Sequence, residues 1–202
     1  MKKINMLLMA GCMCLSLCAC GGNKQDNDAT TAATEATTAA EQYKTDVKVA
    51  DLEAAVANAL GNNYYPTAEM DTLEGLEITP DMYEEFIYKV PMININIDTL
   101  IIVKAVPGQA ENVEAKLNQF RDNSLNDFQY PMNLTKIQCS QVEAIGDYVV
   151  FVQLGAGLGT DAVMEASEKK ELTEDELVKI EMDAINEQNE LALDTIRKML
   201  EN

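Results

Sequence analysis

The sequence predicts an α+β fold: a four-stranded, mainly antiparallel sheet covered by helices on one face, after a cleaved lipoprotein signal and a disordered linker. Three observations predict it. Two β-rich runs, residues 86–90 and 100–106, are followed by a helical pattern rather than by each other's repeat. Two more runs flank Gly146-Asp147, a two-residue hairpin turn. A long helical stripe then closes the chain, so helices and strands are segregated in the way an α+β layout requires.

The N-terminus is organised for export. Lys2 and Lys3 precede an apolar run from Ile4 to Leu17, which is too short to span a bilayer core of about 30 Å and reads as the h-region of a signal. It ends in Leu17-Cys18-Ala19-Cys20-Gly21. Leu17 at −3 and the small Ala19 at −1 suit a lipoprotein signal peptidase, and the Cys20 thiol supplies the point of acyl attachment. Cys18 is the poorer choice, because the bulky Leu17 would precede it. Residues 1–19 are therefore the signal, and Cys20 anchors the chain to the membrane through acyl chains of the palmitate type.

Residues 20–46 form the lipidated cysteine and a tether. Runs of Ala and Thr between 29 and 40 build no apolar face to offset the entropy of ordering. About 26 flexible residues span on the order of 25–30 Å.

Residues 47–202 read as one domain. Asp51 is placed at the cap of a helix carrying Leu52, Val56 and Leu60, closed by Gly61-Asn62. Thr79-Pro80-Asp81 opens a short helix or turn through Glu85. The first strand then carries Phe86, Tyr88 and Val90. The alternation changes parity at Pro91, to Ile93, Ile95 and Ile97, which places a β-bulge or a sheet edge at Pro91-Met92. Residues 100–106 are dense in Ile and Val and suit a central strand. Pro107-Gly108 breaks the chain before a helix marked by Ala110, Val113, Leu117, Phe120 and Ser124. A hairpin of residues 137–145 and 148–154 follows, then a glycine-rich loop, then a helix over 174–200 with Val178, Met182, Ile185, Asn189, Ala192, Ile196 and Met199 on one stripe.

These patterns resemble the small Firmicutes lipoproteins that carry the domain of unknown function 4358, over roughly residues 47–201. The likeness lies in Tyr88-Lys89-Val90-Pro91-Met92-Ile93-Asn94, Asp98 and Val103-Lys104-Ala105. It extends to the helix with Glu111, Val113 and Leu117, the turn Gly146-Asp147-Tyr148-Val149-Val150-Phe151, and the closing helix. The resemblance implies the outer face of a Gram-positive plasma membrane, and no activity or site.

Composition excludes more than it assigns. The 202 residues include no His and no Trp, and 34 acids against 15 bases give a formal charge of −19. Imidazole-dependent catalysis and His-ligated zinc are ruled out, and the negative charge repels nucleic acid. After signal removal Cys139 is left with no disulfide partner besides the acylated Cys20. Without a histidine to activate it, Cys139 is read as a small core hydrophobe. Gly155, Gly157 and Gly159 follow a strand but lack the spacing of a dinucleotide fingerprint or a P-loop lysine, so a plain connection is expected.

The nine acids of residues 50–88, with no Lys or Arg among them, lack calcium-loop spacing and suit a solvated face. No pair of carboxylates stands out as a catalytic acid and base. Asn189, on an apolar stripe, is expected to satisfy buried backbone groups. Methionines 82, 92, 132, 164, 182 and 199 are expected mainly as core filler. The sequence thus points to a non-enzymatic, lipid-anchored extracytoplasmic domain without metal or cofactor, binding a protein or cell-envelope component. A small-ligand or cation-binding lipoprotein serving a transporter is the alternative.

Overall fold

Two strands with unbroken apolar runs organise the molecule. In the computed structural model, which describes residues 43–92, 96–126, 131–155, 164–166, 168 and 172–202, β3 is Thr99–Ala105 and β5 is Tyr148–Gln153. Every residue of β5, and all of β3 except Lys104, is buried. Strands of this kind need cover on both faces of the sheet. The lipobox residues Leu17, Ala19 and Cys20, the tether as far as residue 42, Ile93 and Ile95, and Gly157 and Gly159 lie outside the described residues.

Around this pair lie β1 (Ala68–Glu69), β2 (Tyr83–Val90) and β4 (Gln141–Ile145), in the order β1-β2-β3-β5-β4, all antiparallel. The sheet therefore has five strands rather than four. The added strand, β1, is two residues paired with Lys89 and Val90 at the end of β2, too short to leave a periodicity in the sequence.

Helices cover both faces, not one. Against the first face lie α1 (Val49–Leu60) and α4 (Glu174–Leu200), which pack Leu52, Val56, Ala192 and Ile196 onto Leu100, Ile102, Val150 and Val152. Against the second lies α2 (Ala110–Asn126), where Val113 and Leu117 join Leu73, Leu76 and Ile78 over Ile101, Val103, Val149 and Phe151. The rings of Phe120 and Phe151 meet edge to face with centroids 5.3 Å apart. A further helix, α3 (Pro131–Gln138), contacts both α2 and α4.

Several boundaries move. Helix α1 begins at Val49 with Lys48 at its cap, so Asp51 sits in the first turn, where its charge favours the helix dipole instead. Residues 80–82 form a turn, and β2 starts at Tyr83. The bulge falls near Glu84, where the pairing passes from Tyr83–Ala105 to Glu85–Lys104, while Pro91 simply ends the strand. Ile137 lies at the end of α3, not in a strand, because its burial comes from a helical face. Cys139 lies in the turn that follows α3.

Helix α4 keeps its expected limits. Thr173 and Glu176 form a reciprocal capping box at its start, and Arg197 and Lys198 occupy its last turn. Its buried stripe runs through Ile185, Asn189, Ala192, Leu193, Ile196 and Leu200, with Val178 exposed. Arg197 forks onto Glu143 of β4, with Nε 2.8 Å from Oε1, and ties the helix to that edge strand. Among the described residues no helix is long and apolar enough to cross a membrane.

The two ends of the sheet differ. At one end is the β4–β5 turn, where Gly146 has φ 61° and a negative φ follows at Asp147, the pattern of a type II′ hairpin. Here lie the first described residues. Tyr43 bridges to Glu201, the Lys44 N–H donates to Leu200 O at 2.7 Å, and a Cβ on Gly146 would come within 3.1 Å of Tyr43 Cβ. Residues 43–46, read from sequence as tether, thus begin against the domain. The opposite end holds the start of β3 and the ends of β2 and β5.

Candidate functional site

At that second end, about 20 Å away along the seven residues of β3, the elements leave a cleft of about 290 Å³. Val90 and Pro91 from the end of β2, Thr99 and Gln153 from the paired ends of β3 and β5, and Phe120 and Ser124 from α2 form its walls. Asn96, Ile97 and Ile137 complete it. The cleft exists because β2 stops at a proline, which cannot donate to a ladder, and the chain must turn back before β3.

A buried polar network fixes that return. Asn96 Oδ1 accepts from the Asp98 N–H at 2.9 Å, an Asx turn, and from Lys136 Nζ at 3.1 Å. Lys136 Nζ also donates to Asp98 Oδ1, forming an ion pair whose side chains are 7% and 0% exposed. Gln153 Nε2 donates to Ile97 O at 2.6 Å, and Thr99 Oγ1 donates to the same carbonyl at 3.0 Å. Burial pushes the Asp98 carboxyl above the usual carboxylate range, opposed by the Lys136 ammonium, the Gly155 N–H and Asn96. The Gly155 N–H stabilises the carboxylate electrostatically, yet Asp98 Oδ2 has no hydrogen bond of good geometry.

Asn189 braces the same end from α4. Its Oδ1 accepts from the Leu154 N–H at 2.9 Å and its Nδ2 donates to Cys139 O at 2.8 Å. This is the backbone satisfaction expected of a buried asparagine. The next residue, Gly155, has φ 114°, and a Cβ there would stand 3.3 Å from Ile185 Cα. Only glycine lets the chain pass so close to the helix.

The lining groups are neutral. Asn96, Thr99, Ser124 and Gln153 offer hydrogen bonds beside apolar walls, an arrangement suited to holding a ligand. Asp98, between the lining Ile97 and Thr99, is tied to Lys136.

Other residues singled out by sequence lie elsewhere. Cys139 is 3% exposed, and burial, with Glu181 and Asp183 adding to it, pushes its thiol pKa up. The acids of residues 50–88 are spread over several elements, and lysines from outside the block reach some of them. Glu69 pairs with Lys89, Glu77 with Lys116 and Glu84 with Lys104. Glu53 accepts from the Tyr64 hydroxyl at 2.7 Å. Among the described residues no group of three or more Asp, Glu or Cys side chains is placed to hold a metal ion.

Met92 and Met164 depart from their expected place in the core. They are 82% and 54% exposed, Met92 beside Pro91. Sequence reasoning found Asp98 through a family resemblance and did not find its partner, since Lys136 lies 38 residues away and carries no local pattern.

The fold and cleft define a class: an α+β domain with a five-stranded antiparallel sheet between helices and a half-apolar cleft at one end. Residues 66–154 match the family model described as a domain of unknown function, DUF4358. The matched segment holds all five strands, α2, α3 and every residue that lines the cleft, and it leaves out α1 and α4. It is narrower than the resemblance over residues 47–201 implies. No curated protein and no solved structure matches the chain.

Proposed function

We propose that this protein is a lipid-anchored extracytoplasmic accessory domain that binds a protein of the cell envelope and has no catalytic role of its own. The observation that carries the reading is polarity. Tyr43, the first described residue and the nearest of them in sequence to Cys20, lies beside Glu201 and the Gly146 turn, and the cleft opens at the other end of the sheet. A domain held at the membrane through Cys20 and the tether therefore presents its cleft outward. The negative charge of the chain adds to this, because an anionic bilayer repels the domain and keeps the tether extended.

Two measurements test the reading. Cys20→Ala is expected to move the protein out of the membrane fraction, or leave an uncleaved precursor, and to abolish acyl labelling. Met92→Cys is expected to react in intact cells with a membrane-impermeant maleimide, since Cys139 is buried. Unchanged fractionation of Cys20→Ala without acyl label would defeat the anchor. Labelling of Met92→Cys only after lysis would defeat the extracytoplasmic assignment.

A further inference from the structure

Three exposed apolar side chains lie next to, or one helical turn from, lining residues in the chain. Met92 follows the lining Pro91, Leu125 follows the lining Ser124, and Leu134 stands one helical turn before the lining Ile137. They are 82%, 40% and 39% exposed. Exposed apolar side chains close in the chain to a pocket are what a protein contact centred on that pocket would use. At about 290 Å³ the cleft is at the bottom of the range for small-molecule sites, and it matches one large apolar side chain better than a whole ligand.

The walls also carry hydrogen-bonding groups. Asn96 is committed to Asp98 and Lys136. Gln153 spends its Nε2 on Ile97 O and leaves Oε1 without a donor among the described residues. One acceptor beside apolar walls can take one backbone N–H. The lining is uncharged, whereas the chain as a whole carries −19. That field draws in a cationic partner and repels an acidic one, while the pocket itself desolvates no ion.

We infer that the cleft receives an apolar side chain from a cationic segment of a protein partner, with Met92, Leu125 and Leu134 closing around it. This rests on the reading of the domain as an accessory binding module and supplies the chemistry of its partner. Anchoring is not required by the pocket, so the two fail separately.

A benzophenone amino acid placed at Leu134 of the full-length protein, irradiated in intact cells, tests it. The expected crosslink maps to a Leu, Ile, Met or Phe flanked by Lys or Arg. Its yield falls at least about tenfold in Met92→Lys and in Ser124→Trp, which fills the cleft, and it drops when salt is raised to shorten the screening length. Leu191→Lys, at a side chain 43% exposed on α4, is expected to leave the yield unchanged.

Met92→Lys keeps the test valid should Ser124→Trp fail to fold, because it alters an exposed side chain alone. Several outcomes would overturn the inference: no crosslink from Leu134, a crosslink to lipid or glycan, or attachment to an acidic or uncharged segment. Equal yield in Met92→Lys and the parent would do so as well. Because the Cys20→Ala fractionation is scored independently, loss of the anchor with an intact crosslink would overturn the first reading and keep this one.

Discussion

Replacing Lys136 by Met removes one half of the ion pair with Asp98 and leaves the rest in place. Asp98 is fully buried and Lys136 nearly so, so water cannot take over from the missing ammonium. The carboxylate would retain only the Gly155 N–H and the Asn96 side chain. Breaking a pair this deep costs about 3–5 kcal/mol, which lowers Tm by roughly 6–20 °C for a domain of this size.

The cost has a pH signature. Without Lys136 the folded Asp98 pKa rises further above its unfolded value of about 3.9. A raised folded pKa favours the fold at low pH, and that stability is lost as pH rises through the folded value. Lys136→Met should therefore be least costly near pH 4, with its cost relative to the parent growing by up to about 1.4 kcal/mol per pH unit once the parent's own raised folded value is passed, until the variant's is passed too. The double variant Asp98→Leu with Lys136→Met carries no orphan charge and should recover most of the loss. Urea unfolding of the parent, Lys136→Met, Asp98→Leu and the double variant between pH 4 and 8 measures this. A loss under about 1 kcal/mol with no pH dependence, or a double variant whose loss equals the sum of the singles, would refute the account.

The other predictions are smaller in scope. Asn189→Leu orphans the Leu154 N–H and Cys139 C=O and should cost about 1–3 kcal/mol for each, read by urea unfolding; a loss below about 0.5 kcal/mol would contradict the bridging role. Gly155→Ala forces a side chain into a φ of 114° and against Ile185 Cα; a destabilisation of about 1–3 kcal/mol is expected, visible as a lower thermal midpoint. Burial, then the hydrogen bond to Glu53 and its charge, hold the Tyr64 phenol above its ordinary pKa. Because the folded value is raised, its stabilising effect is complete below about pH 10 and lost above it. The stability difference between the parent and Tyr64→Phe should accordingly be flat from pH 7 to 9 and shrink from pH 10 upward.

Much of the covering of the sheet was legible, and part was misread. The unbroken runs Leu100-Ile101-Ile102-Val103 and Val149-Val150-Phe151-Val152 show no polar alternation. An antiparallel strand with one wet face would alternate, so helices on both faces were already written there. Helix α4 was legible because its stripe and limits are local. Asn189 was legible because a polar residue on such a stripe must find partners. Residues 131–139 misled because Ile137 and Cys139 imitate strand alternation. One is buried from a helix end and the other from a turn, and spacing alone does not separate those cases.

The sequence by itself determined the acid-rich, histidine-free chemistry, the expectation of an anchor at Cys20, the α+β class and the two buried strands. These depend on composition, or on residues within one helical turn or one strand of each other. Tertiary structure alone decided that Asp98 meets Lys136, that Asn189 joins Leu154 to Cys139, and that β1 completes the sheet with two residues. It also decided that Tyr43 and the cleft stand at opposite ends. Each of those depends on segments distant in the chain, and the burial that makes such contacts strong exists only once the sheet and both helical layers have closed around them.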